Sequence, residues 1–490
     1  MIKIVKKKHY EETSPSIIED LNESVTTPIH EENKLFQKAE SIWKKIIATK
    51  TTPYIRRIAL RGILYTSIKS NRAIDAAKKI HNILLLEDFN YVGPDLRKEL
   101  LAIYSKTLLE AAKTQKSNMN FIEAAELLCS ALIDFPEIPN GYRMYKEGTS
   151  LYGVEGAWSE VAKRATYYLS QDFDEYVNEM RFLFAKSLEN QFFFQKAAQA
   201  YYALAMHHHY YPKFIFSLEK TSLLASYEEN YQLAAKAEQA LAKATKDRKE
   251  SLHHYRKASE LFAKANLFKE ASDIDAYLIS SAKTLDERLY AKLNYSQNIK
   301  EFGYPKEAYI ELENLLAALK ANKERLGEGS LADLWGKTHL ELGQYHAQIL
   351  DQELAKDIHS ALNTYHKLKF HYLEASKSDH LLWSPKARFK LAQKTGQIVK
   401  NILLRKDEIY ESFSESDKNK METFINSSKN FSQDLLNENI LEGYRWGQVA
   451  SHNIWILQSS YLLGQNAAFL QNRPFAPSSL AYPLPIKWRI

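Results

Sequence analysis

The stretch FAKSLENQFFFQKAAQAYYAL, residues 184–204, decides the fold. Ala197, Tyr201 and Leu204 stand four and seven residues apart in sequence order, a spacing that places them on one face of a helix. Ala185 lies twelve residues before Ala197 and Leu188 nine before. That distance puts them on a preceding helix, separated by a short turn. A small residue there lets two backbones approach closely, and the large residues fill the space around the contact. The stretch therefore reads as a helical hairpin.

The same hairpin recurs on either side. Small residues that open apolar-periodic segments stand at Ala124, Val161, Ala197, Ala234, Ala271 and Ala308, at steps of 36 or 37 residues. Seven residues after each stand Ala131, Tyr168, Leu204, Leu241, Leu278 and Leu315. Twelve before stand Ala112, Thr149, Ala185, Ser222, Ser259 and Ser296, all small. Nine before stand Gln115, Tyr152, Leu188, Ala225, Phe262 and Ile299, mostly apolar. Turn formers separate the two helices, as in Glu228-Glu-Asn230, Asn266-Leu-Phe268 and Phe302-Gly-Tyr-Pro305. One hairpin cannot bury its own apolar face, so neighbours must stack.

These residues resemble the tetratricopeptide repeat superfamily over roughly residues 34–370. Phe184-Ala185, Leu188, Ala197, Tyr201 and Leu204 follow its motif. So do Ala124, Leu128, Ala131 and the closing Pro136, and Leu342-Gly343, His346 and Ala355. The period of 37 departs from the usual 34, and Glu238 and Asp275 occupy sites that are normally aromatic. The resemblance implies an all-α, right-handed α-solenoid of stacked helical hairpins.

Outside the regular block, Ala39, Trp43 and Ile46 precede Ala76, Ile80 and Ile83 by another 37 residues. The step from Ala76 to Ala124 is 48, its excess assigned to Asn90–Asp95 or Thr114–Asn120. The step from Ala308 to Ala355 is 47, its excess assigned to Ala321–Ser330. Four domains are expected. Residues 1–33 form a disordered acidic leader, 34–370 the repeat solenoid, 371–472 a helical cap and 473–490 an extended Pro-rich tail. Cap helices are expected near 386–405, 417–438 and 441–471.

Composition agrees. Glycine (15) and proline (13) together are about 6% of 490 residues, against about 12% in average usage. Sandwiches, barrels and propellers need more turns than that. One cysteine, Cys129, excludes an intramolecular disulfide framework and every multi-cysteine zinc site. It falls between Leu128 and Leu132 and reads as a buried, inert thiol. No run approaches 18 apolar residues, and the start carries no secretory signal, so cytoplasm is the expected compartment. Periplasm is the alternative if a leader has been trimmed away. The net charge of +6 hides a layout. Four lysines fall within residues 1–8, seven acids and no Lys or Arg within 9–33, and about +9 on the rest.

Catalytic motifs are absent: no G-x-S-x-G, no phosphate loop, no H-E-x-x-H. His207-His208-His209 splay around a helix and cannot share one ion. His339 with His346, and His359 with His366, are seven apart on adjacent helices. A four-histidine cluster is conceivable, but the spacing separates ring nitrogens by about 10 Å and favours packing. No enzyme activity, cofactor or metal is expected.

What remains is recognition. In resembling repeats the first helix of each hairpin lines the concave groove. By register the groove residues here are Phe182, Lys186, Glu189, Asn190, Glu219, Tyr227, His253, Arg256, Lys264, Tyr290 and Lys300. This mixed, partly aromatic set suits a protein or peptide partner. The family's clamp for a terminal carboxylate is not seen at its sites. Phe475, Tyr482 and Trp488 in the tail cannot build their own core, so they pack on the solenoid or dock on a partner. The reading is a non-catalytic protein-interaction scaffold or adaptor. The alternative is a nucleic-acid-binding helical-repeat protein, and behind it a helical enzyme.

Overall fold

The computed structural model describes residues 29–446 and 454–470, with short breaks at 50–51, 70–72, 172, 209, 355, 379, 381 and 412. Two compact units divide the chain at Leu233 and Ala234. The first contains α1 (Ile29–Ala48), α2 (Pro53–Lys69), α3 (Ala73–Leu86), the single turn α4 (Phe89–Val92), α5 (Pro94–Ser117), α6 (Phe121–Asp134), α7 (Gly141–Val154), α8 (Trp158–Ser170), α9 (Val177–Asn190), α10 (Phe194–His207) and α11 (Phe214–Tyr227). The division falls inside α12 (Tyr231–Ala244). The second unit continues with α13 (Arg248–Lys264), α14 (Phe268–Ser281), α15 (Leu285–Phe302), α16 (Pro305–Ala321), α17 (Glu328–Glu353), α18 (Ile358–Ser376), α19 (Trp383–Leu404), α20 (Lys406–Glu411), α21 (Glu415–Trp446) and α22 (Ile454–Leu470). Among the described residues the fold is all-α.

Each unit is a stack of helical hairpins, as the spacing requires. In the first unit each helix from α5 to α11 packs on the next, and in the second each from α13 to α19 does. First helices also touch the first helix of the following hairpin: α7 meets α9, α15 meets α17, and α17 meets α19. The six small markers Ala124, Val161, Ala197, Ala234, Ala271 and Ala308 are at most 1% exposed. The small residues twelve before them and the large residues seven after them are buried as well. Close approach explains why small residues are needed. A Cβ on Gly148 of α7 would sit 2.9 Å from the Ala125 carbonyl of α6 and 2.7 Å from Cys129 Sγ.

The turn between the two helices of a hairpin has one geometry, used six times. Met119, Gly156, Phe192, Glu229, Asn266 and Gly303 adopt positive φ, five residues before each marker. The next residue's N–H donates back five residues. Asn120 reaches the Gln115 carbonyl, Ala157 Tyr152, Phe193 Leu188, Asn230 Ala225, Leu267 Phe262 and Tyr304 Ile299, all at 2.8–2.9 Å. This is a Schellman closure, which satisfies carbonyls that a helix end would otherwise leave orphaned. Its acceptors are the residues found nine before each marker, so that position both packs and closes the turn.

Several expected boundaries move. Residues 29–33 belong to α1 rather than to the leader; residues 1–28 lie outside the described residues, as does the tail with Phe475, Tyr482 and Trp488. The excess between Ala76 and Ala124 is taken up by α4 and a 24-residue α5. Thr114–Asn120 absorbs none of it, because it closes with the common turn. Ala355 lies outside the described residues, and the helix it was expected to open begins at Ile358. The expected cap boundary at 371 falls inside α18. Of the cap helices, α21 runs unbroken through 439–440. There Asn439 is buried and donates to the Pro385 carbonyl at 3.0 Å and to Ser459 Oγ at 2.9 Å, tying α19, α21 and α22 together.

Candidate functional site

The expected groove residues lie on α9, α11, α13 and α15, and the structure sorts them into two groups. Lys186, Asn190, Glu219, Tyr227, His253 and Lys264 are exposed. Lys186 Nζ sits 5.5 Å from the Trp158 ring centroid, and Tyr227 lies edge-on to Phe194 at 5.3 Å. In each unit these side chains stand on helices that the other group braces.

That other group joins one helix to another. Glu189 accepts from Tyr201 Oη at 2.9 Å and Lys220 Nζ at 2.5 Å. Arg256 pairs with Glu287 at 2.9 Å and holds its carboxyl below the usual range. Tyr290 donates to Asp333 at 2.7 Å, and Lys300 to Glu341 at 2.8 Å. Phe182 needs a correction. It is 7% exposed, not a groove contact, and packs against Tyr201, Tyr211 and Phe216 at 5.9–6.5 Å under the ammonium of Lys213. Desolvation there, with Lys186 nearby, pulls Lys213 down from its ordinary pKa.

A second constellation escaped the repeat register. Lys386, Lys390 and Lys394 succeed one another every four residues on α19, beside Lys300 of α15 and Lys337 of α17, and all five are half-buried. Lys337 and Lys386 lie 5.9 and 5.6 Å from the Trp383 ring centroid, and His380 stacks on that ring at 5.6 Å. The indole N–H donates to Asp333 at 2.5 Å. Lys394 donates to both Asp351 oxygens at 2.7 Å. Desolvation lowers the pKa of Lys386 and of Lys390. At Lys386 the carboxylate of Glu341 opposes the effect while Lys390, Lys337 and Lys300 add to it, and Lys394 adds to it at Lys390.

The histidines fall differently from the sequence expectation. His339 and His346 of α17 meet His371 of α18, not His359 or His366, which are exposed. His339 Nδ1 lies 3.0 Å from His371 Nδ1, and His346 stacks on His371 at 5.5 Å. All three are buried, and His339 Nε2 has no hydrogen-bond partner. Burial pushes His339 down to about 4 and His371 to about 3, so both are neutral at pH 7. Among the described residues no three His, Cys, Asp or Glu side chains are placed to hold a metal ion. His207 is exposed, His208 contacts Arg181, and His209 lies outside the described residues. Cys129 is buried and its thiol is pushed up to about 12, first by desolvation. No described helix is long and apolar enough to cross a membrane.

No family profile and no curated protein matches the chain. Solved structures that resemble it include a tetratricopeptide repeat protein from Parabacteroides merdae, 15% identical over 56% of this chain and 93% of that one, with a TM-score of 0.26. A circular tandem repeat protein is 10% identical over 90% and 91%, with a TM-score of 0.21. Yeast Tom70 is 13% identical over 84% and 96%, with a TM-score of 0.27. At such scores the fold rests on the chain's own geometry. Among the described residues, six hairpin turns closed by the same hydrogen bond, buried small residues at a near-constant period and packed first helices make each unit a stacked array of helical hairpins.

Proposed function

We propose that the protein is a non-catalytic scaffold or adaptor that binds a partner protein or peptide on the faces of its first helices. One observation carries this reading: side chains of mixed chemistry stand exposed on helices that ion pairs already brace. Such a surface needs little reordering on binding, which favours affinity. Lys186, Glu219 and Tyr227 in the first unit, and His253 and Lys264 in the second, are the contacts this reading selects.

Affinity capture of the full chain from its native extract, with crosslinking mass spectrometry, tests the proposal. A stoichiometric protein crosslinked to Lys186 or Lys264, and lost with Tyr227→Ala or Lys186→Ala at unchanged stability, supports it. Capture of nucleic acid whose affinity falls steeply with salt would replace it with the nucleic-acid reading. Turnover of a small molecule would replace it with an enzyme.

A further inference from the structure

We propose that residues 482–490 run as an extended strip along the outward face of α22 and cover it, so that the chain caps its own second unit. Residues 471–490 follow α22 and lie outside the described residues. α22 packs on α21 and α19. From 447 to 472 the sequence holds no Lys, Arg, Asp or Glu, and apolar residues fall on every side of the helix. A stacked array is closed by an element with a polar outer face. Here the polarity is reversed. Ser459 is buried and accepts from Asn439 of α21 at 2.9 Å, while Ile454 and Phe469 stand 44% and 40% exposed. Ile454 and Tyr461, two turns apart, share the side away from Ser459. A helix that is apolar all round belongs in a buried setting, and α19 and α21 cover one side of this one.

The chain that follows has the complementary pattern. Tyr482, Leu484, Ile486, Trp488 and Ile490 alternate with Pro483, Pro485, Lys487 and Arg489. In an extended backbone alternate side chains share a face, so one face is wholly apolar and the other carries the prolines and the charges. Pro483 and Pro485 oppose a helix and, lacking N–H groups, leave fewer donors to pair. Such a strip suits the side of a helix, which offers no backbone partner.

The lengths agree. From Tyr482 to Ile490 an extended chain spans about 26 Å, and from Ile454 to Leu470 the helix spans about 24 Å. Residues 471–481 are enough to turn the chain back from Leu470, which brings Tyr482 to the C-terminal end of α22 and Ile490 to Ile454. Because strip and helix are joined, the strip meets this face at a far higher effective concentration than a second molecule does.

The test uses the full chain carrying Ile454→Cys and Ile490→Cys with a short thiol crosslinker. Buried Cys129, its thiol pushed up to about 12, stays unreacted. The expected product is a crosslink within one molecule, at a yield independent of protein concentration. A crosslinked dimer in its place would give the face to a second copy, and cosedimentation of the full chain with phosphatidylcholine vesicles would give it to a membrane; either result, or no crosslink, overturns the proposal. In the chain without added cysteines, Ile486→Asp and Trp488→Ser should each speed hydrogen exchange of α22 amides about tenfold and raise binding of an apolar dye. Lys487→Ser, on the opposite face, should do neither. All three positions follow the last described helix, so protection of α17 and α18 should stay unchanged. Unaltered exchange of α22 in Ile486→Asp, or an equal effect of Lys487→Ser, would equally overturn it.

Discussion

Asp275→Asn should stabilise the second unit at pH 8 and destabilise it at pH 4. Asp275 stands on α14 at a site where other hairpins carry Tyr201 or Leu312, and it is fully buried. Its carboxyl accepts from Ser259 Oγ and from Asn298 Nδ2, each at 2.7 Å. Burial nevertheless raises its pKa to about 6, from 3.8. The native state thus binds the proton more tightly than the unfolded chain does. Stability rises as pH falls from about 6 toward 4, and above 6 the buried charge costs about 3 kcal/mol. An amide removes that cost but can accept from only one of the two donors. Ser259 then turns toward the Ala271 carbonyl, already 3.4 Å away, at a loss of about 1–2 kcal/mol. The net is a gain of about 1–2 kcal/mol at pH 8, near balance at pH 5, where about half of the charge cost remains, and a loss of about 1 kcal/mol at pH 4. Because a chain of two units need not unfold in one step, the readout is native-state hydrogen exchange of α14 and α15 amides. Equal destabilisation at both pH values would refute the claim that Asp275 is carried as a costly buried anion.

Three further outcomes follow from the same reasoning. His339 has a native pKa of about 4 against 6.5 in the free side chain, so the unfolded state binds more protons between those values. His339 alone should weaken hydrogen-exchange protection of α17 and α18 by about 3 kcal/mol as pH falls from 6.5 toward 4, and His371, held to about 3, adds to that loss. Protection in His339→Leu should vary less with pH, and an identical pH profile would count against the buried neutral cluster. Cys129 should resist iodoacetamide at pH 8 in the native protein and alkylate at once in denaturant; rapid native labelling would contradict its burial. Phe192→Gly and Glu229→Gly relieve left-handed backbone at two hairpin turns, and each should raise the stability of the first unit by about 1 kcal/mol. A fall in its melting temperature would show that those turns are not strained.

The repeat was legible because each of its sites has a size requirement that one residue can announce. Ala197 and Ser259 must be small where backbones meet, and Leu241 and Leu315 must be large where hairpins stack. The turns were only half legible. Gly156 and Gly303 advertise positive φ, but Met119, Phe192 and Glu229 adopt it because two packed helices impose it. Phe182 was misread because its neighbours Tyr201, Tyr211 and Phe216 come from three other segments, and helical register along α9 cannot reveal them. The lysine face was invisible for a related reason. Lys300, Lys337 and Lys386 approach across helices where the period fails. His371 likewise joined His339 and His346 only once the packing of α17 on α18 was known.

The recurring left-handed turn bears on how such a chain could lengthen or shorten. Between Phe192 and Glu229 lie the second helix of one hairpin and the first helix of the next, bounded at both ends by the same backbone geometry. A recombination event that joins one turn to another therefore inserts or removes this out-of-phase cassette, α10 with α11, and leaves every hairpin closed by a turn of native shape. The natural unit of exchange is offset by one helix from the hairpin that the eye picks out. Added residues would be tolerated instead in the connectors leading into the next hairpin, which already range from the three residues 245–247 to the seven residues 87–93, with α4 inside.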